Sequence, residues 1–333
     1  MGWKGALRTL GAMARQAERD AQRRKRALEK YRLALEKAEQ LQHAKSVIQD
    51  FEEYLTSLIS IHKCSPDAVD WSQIASATAP PEPKMTNNQE TWAKQRLANY
   101  RPSVFAKFFN QESKEREKLT QNIIEARRRD RANYRKEKQD YEVRLQEYHD
   151  QKELAERILA YDSEAMLEVI LARNPFEAIS QLGSNITFSI IRGRRVVADF
   201  VVHGESIIPK ETVSLLKTGK VSVKQMSKSH FHRIYQDYVC SATLRIAREL
   251  FALLPIDDVV VTALDKIVNS QTGHLEEQPI LSVLIPRVTF SHLNLDALDP
   301  SDSMGNFLHR MDFRQTAGFR PIERLDAEHI GLG

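Results

Sequence analysis

Apolar residues over the first 60 positions recur at helical spacing. Trp3, Leu7, Leu10, Ala14, Ala17 and Ala21 step by four and three, and Leu28, Tyr31, Leu35 and Ala38 extend the stripe. After a slip it resumes at Leu41, Ala44, Ile48, Phe51, Leu55 and Leu58. The spacing predicts one long helix, with no proline before Pro66. It is firmest from about Arg15, because Gly2, Gly5 and Gly11 weaken its first turns. A second long helix is predicted from about Ser113 to Tyr161. Its apolar positions are sparse: Ile123, Tyr134, Tyr141, Leu145, Tyr148, Ala155 and Leu159. A stripe so narrow cannot sit in a broad core and needs a partner helix. Between the two, residues 60–112 read as a loop-rich connection, with a polyproline-like spacer APPEPK at 79–84 and a short helix over Glu90 to Asn99.

From Asp162 the period changes. Ser163 can cap a helix over Glu164 to Ala172, and Asn174-Pro175-Phe176-Glu177 has the cap, first-turn proline and third-position acid of a further helix, ending at Gly183. Ile186, Phe188 and Ile190 alternate, RGRR at 192–195 supplies a turn, and Val196, Ala198, Phe200 and Val202 alternate again, which predicts a β-hairpin. KVSVK at 220–224 reads as another strand. A helix from about Ser229 to Leu254 turns Phe231, Tyr235, Tyr238, Ala242, Ile246, Leu250 and Leu253 inward. DDVVVTAL at 257–264 and PILSVLIP at 279–286 are apolar enough for central strands, and Asp299-Pro300 begins a final helix through Met311. The order of elements predicts an α+β domain over 162–333, with a small, mostly antiparallel sheet backed by helices.

Charge then proposes how the two rods meet. Residues 15–30 carry net +4 and 36–53 net −3, and the second helix repeats the order, with 118–135 at +4 and 141–156 at −3. Folded back antiparallel, basic 15–30 lies beside acidic 141–156 and acidic 36–53 beside basic 118–135; a parallel pair would set like beside like. Each exposed pair contributes only about 0.3–0.5 kcal/mol, but many together select orientation. The expectation is a coiled-coil-like antiparallel helical hairpin over 1–161, with arms of roughly 65–70 Å and the tyrosines in its seam.

Composition narrows the classes of function. The chain has 333 residues, net charge +4 and two cysteines, Cys64 and Cys240, which excludes a disulfide framework or a thiolate-rich zinc site. No apolar run nears the roughly 20 residues of a membrane span, and Lys4, Arg8 and Arg15 interrupt every candidate signal core. The expected compartment is cytoplasmic, with a membrane partner disfavoured and no cofactor or metal implied. Cys240, mid-helix among apolar residues, reads as a small core residue.

Three functions are weighed on these residues. The leading one is a non-enzymatic interaction or scaffold protein, whose arm and α+β domain dock an unknown protein partner or mediate self-association. The second is nucleic-acid binding. Residues 186–254 are net +6, including Arg192, Arg194, Arg195, Lys217, Lys220, Lys224 and Lys228, and Arg127, Arg128, Arg129 and Arg131 form a cluster in the arm. The plainer reading of both clusters is neutralisation, by the facing acidic arm and by residues 255–333, which are net −6. KTGK at 217–220 lacks the spacing of a phosphate-binding loop. The third is a metal-dependent nuclease. Asp199, His203 and Glu205 share one strand face, and with Lys210 they supply ligand and phosphate-steadying groups. The same residues are equally the polar side of a half-buried strand, and no E-x-K follows the aspartate.

Overall fold

The computed structural model describes residues 30, 37–64, 66–102, 112–176, 185–203, 207–269 and 271–330. In chain order its helices are α1 (37–59), α2 (Trp71–Ala75), α3 (Asn88–Ala98), α4 (Glu112–Leu159), α5 (Ser163–Arg173), α6 (Lys228–Leu253), α7 (Arg287–Ser291) and α8 (Pro300–Ser303). Its strands are β1 (Ile186–Ile191), β2 (Arg195–Val201), β3 (Glu211–Leu215), β4 (Val221–Gln225), β5 (Asp258–Val268), β6 (Leu275–Pro286), β7 (Leu308–Arg314) and β8 (Gly318–Arg320). Two compact units result: Val69–Met166, and the described residues up to Ala68 together with those from Leu167 onward. The apolar stripe before residue 30, and from residue 177 the helix expected to end at Gly183, lie outside the described residues.

The unit over 69–166 is built on α4. Its 48 residues make a rod of roughly 70 Å, and the partners of its narrow stripe within this unit come from the connection before it. Trp71 of α2 is buried, as are Ala93 of α3 and Ala126 of α4. The Tyr148 hydroxyl donates to the Ala77 carbonyl at 3.0 Å, so one of the heptad-spaced tyrosines does lie in a seam, against the segment between α2 and the prolines. Residues 69–102 are therefore more than a tether. A short stretch of helix that buries few apolar groups is marginal alone, and α4 supplies what it lacks.

The second unit has a six-stranded sheet in the order β1-β2-β5-β6-β7-β8. β2 and β5 are parallel; every other neighbouring pair is antiparallel. A parallel pair needs a long crossover, which here contains α6. One face carries Val196, Ala198, Phe200, Val259, Val261 and Ala263, all fully buried. The opposite face carries Val260 and Leu284, which form a cluster with Leu325 and with Val197, Ala327 and Ile330. Both faces of the central strands are thus covered, which is why β5 and β6 read as continuous apolar runs instead of alternating ones.

Most of α6 is buried all round, including Ser241, Thr243, Arg245 and Glu249. On one side the turn Ile61–Lys63 docks: the Ser241 hydroxyl accepts from the His62 N–H at 3.1 Å and bonds its Nδ1 at 2.8 Å. Arg248 donates to the His62 carbonyl at 2.8 Å. Arg245 pairs with Glu249 and donates to the Ile61 and Cys64 carbonyls, each at 3.3 Å. Further along α1, the Tyr54 hydroxyl donates to the Ile207 carbonyl at 2.6 Å.

One expected element is corrected. The helix begun at Asp299-Pro300 stops at Ser303, a 3-10 turn follows over Met304–Asn306, and the chain enters β7. Asp299 caps that start by accepting from the Ser301 and Asp302 N–H groups at 3.0 Å. The edge of β6 then draws the next residues into pairing, Leu284 with Leu308 and Leu281 with Met311. An open row of backbone donors and acceptors outweighs weak helix propensity through Gly305-Asn306.

Candidate docking groove

α3 and α4 meet through a charged knot. The α3 N-cap residue, Asn87, makes no side-chain capping bond. Asp130 of α4 does its work from 40 residues away, accepting from the Glu90 N–H at 2.9 Å and the Gln89 N–H at 3.3 Å. The Glu90 carboxylate receives Arg127 in a fork, Nε to Oε2 at 3.1 Å and Nη2 to Oε1 at 2.8 Å, and Lys94 Nζ at 2.8 Å. Hydrogen bonds from Arg127, then Lys94, hold the Glu90 carboxyl down to about 2.

Gln89, Glu90, Ala93 and Leu97 form the face of α3 withdrawn from solvent. Trp92 and Arg96 fall outside it. Trp92 is 63% exposed, and the Arg96 guanidinium sits 5.2 Å from its ring centroid. They rim a groove of ≈ 580 Å³ between α3 and α4, floored in part by Ala93, Leu119 and Ala126 and bordered by Arg129. Asn88, Gln89, Asn122 and Glu125 complete the lining. A stacked arginine keeps an exposed indole oriented, and a rigid aromatic beside a groove with apolar patches is what binding surfaces concentrate their energy in. The sequence reading passed over Trp92 and Arg96. The available signal was a tryptophan outside the helix's own apolar stripe.

The basic candidates separate into engaged and free groups. Arg127 is committed to Glu90, and Arg129 reaches Glu125 at 3.7 Å. Arg128 and Arg131 are exposed and form no ion pair among the described residues. Arg194 pairs with Asp257 at 3.1 Å and the buried Arg195 with Asp258 at 2.5 Å, so part of the acidic carboxy-terminal stretch neutralises the β1–β2 turn. Arg192 is exposed in that turn at φ 52. Lys217, Lys220 and Lys224 line the two-stranded β3–β4 ribbon and Lys228 opens α6; all four are exposed, with no ion pair among the described residues.

Of the metal-site candidates, Asp199, His203 and Lys210 lie among the described residues. Asp199 Oδ2 binds Arg324 at 2.5 Å, while its Oδ1 is buried without a hydrogen-bond partner. Lys210 is exposed before β3, His203 lines a different opening, and Glu205 lies outside the described residues. Among the described residues no three His, Cys, Asp or Glu side chains are grouped so that they could hold a metal ion, and no helix is long and apolar enough to cross a membrane. Comparison with family models, curated proteins and solved structures gives no match to this chain.

Proposed function

We propose that the chain is a non-enzymatic docking protein whose helical unit seats a segment of a partner protein in the α3–α4 groove. The exposed Trp92, held beside Arg96 at the rim of a groove of mixed polarity with Ala93, Leu119 and Ala126 in its lining, carries this reading. The partner segment is apolar with flanking acids, because Arg96 and Arg129 line the groove and, of the two, only Arg129 forms an ion pair among the described residues, with Glu125 at 3.7 Å. A displayed library of helical peptides, selected on the intact chain, tests it. Enriched peptides carrying Leu or Phe between Asp and Glu, and binding about tenfold weaker to Trp92→Ala, support the proposal. Enrichment indifferent to Trp92→Ala sinks it. Sedimentation showing a dimer that Trp92→Ala dissociates makes a second copy of the chain the partner. The antiparallel hairpin read from charge belongs to the same proposal, and a crosslink joining Glu18 to Arg129 instead of Glu147 overturns that part.

A second reading, nucleic-acid binding, is favoured by the four exposed lysines of the β3–β4 ribbon and the start of α6, which no carboxylate neutralises among the described residues. It requires affinity for DNA or RNA that falls steeply with salt and is lost in the Lys220→Glu/Lys224→Glu double variant.

A further inference from the structure

The sheet leaves a cleft of ≈ 870 Å³ where the parallel strands β2 and β5 both end. In open sheets with helical crossovers, ligands lie beyond the carboxyl ends of such strands, and the volume is that of a small-molecule site. The groups that meet there are fixed by three separate parts of the fold. The tight β7–β8 turn presents the Gln315 carbonyl to His232 Nδ1 at 2.8 Å. A carbonyl only accepts, so Nδ1 carries the proton, and Nε2 of the neutral ring is left as an acceptor. Gly318, at φ 78, keeps the approach open: a Cβ there would stand 3.4 Å from His232 Cδ2. From α6, the Tyr235 hydroxyl donates to Asp265 Oδ2 at 2.7 Å, while Oδ1 of the same carboxylate accepts from the Lys266 N–H at 2.8 Å. The Tyr235 and Phe319 rings meet edge to face, with centroids 5.6 Å apart.

The cleft's chemistry is that of an acceptor. Lys266 and Glu277 are cross-strand partners, so their opposite charges offset one another. The uncompensated charge is that of Asp265, backed by a histidine lone pair and two aromatic rings. Such rings attract cations and repel anions at their faces. We propose that this cleft binds a small organic cation, an alkylammonium group with a short apolar body, whose charge is matched by Asp265 and whose body lies along Ile267, Val268 and Leu275. The apolar lip supports the second half of that statement: Val268 is 58% and Leu275 68% exposed.

The proposal is independent of the docking reading, since cleft and groove belong to different units and different ligands report on them. The test titrates the intact chain, its histidine rings labelled with carbon-13, with n-butylammonium, and follows the His232 resonance, assigned through His232→Gln. The expected result is a saturable shift of that resonance, with affinity about tenfold lower in Asp265→Asn and a few-fold lower in Glu277→Gln. Inorganic phosphate over the same range leaves it unmoved. Glu277 is exposed, so its variant keeps the fold and decides the matter if Asp265→Asn destabilises Tyr235. An unmoved His232 resonance, equal affinity in wild type and Glu277→Gln, or a shift with phosphate in place of n-butylammonium overturns the proposal.

Discussion

Arg195 closes one end of the sheet by holding Asp258 across the parallel β2–β5 pair while its Nη1 donates to the carbonyls of Ala327, at 2.7 Å, and Ile330, at 2.6 Å. One guanidinium thus ties two strands to the carboxy-terminal strap, the described residues 321–330 that follow β8. Arg324 on Asp199 and the Leu325 N–H on Ser282 Oγ, at 3.1 Å, fasten the strap further along.

Arg195→Met is expected to cost about 2 kcal/mol, because it leaves Asp258 and two carbonyls without their donor. Limited trypsin digestion checks it: cleavage after Arg324 should become much faster than in the wild type, before the sheet as a whole unfolds. Unchanged cleavage would show that the guanidinium does not hold the strap.

Leu325→Ala tests the same strap through its apolar side. Leu325 is buried against Val260 and Leu284, and removing most of its side chain should cost about 2–3 kcal/mol in urea unfolding. A loss below about 0.5 kcal/mol, the range of ordinary surface changes, would contradict the packing.

Asp130→Ala should melt α3 without breaking α4. The two α3 amide donors lose their acceptor, and loss of a cap costs about 1 kcal/mol. Amide hydrogen exchange over residues 88–98 should accelerate while residues 135–155 of α4 stay protected.

Glu90 makes the helical unit acid-sensitive in a defined window. Its folded pKa, about 2, lies below the ordinary 4.5, so between those values the unfolded chain binds the extra proton and stability falls as pH drops. Above 4.5 the contribution is fully present. Helix content against urea, measured from pH 5 to 2.5, should show this slope, and Glu90→Gln should flatten it.

His62 acts in a higher window. Burial foremost, with the charge of Lys63 adding to it, lowers its pKa below 6.5, against the Leu295 backbone and Asp296. The folded state therefore resists protonation, and stability present above pH 6.5 is lost as pH falls below it. His62→Asn should remove that dependence between pH 7 and 5.5. An identical profile in variant and wild type would mean that the ring is not confined by Ser241.

The sequence alone determined which stretches became rods and strands. The spacing of Tyr134, Tyr141 and Tyr148 marked α4, the stripe from Phe231 to Leu253 marked α6, and alternation from Ile186 to Val202 marked the β1–β2 hairpin, because periodicity is written in near neighbours along the chain. Only the tertiary structure decided what completed them. Asp130 caps a helix 40 residues earlier, Arg195 reaches 135 residues forward to Ile330, and the β6 edge turns an expected helix into β7. Trp92 gained its place the same way, exposed because Glu90 and Ala93 face α4 instead. A buried donor, a free edge or an open charge takes whichever partner the fold brings to it, and no local pattern names that partner.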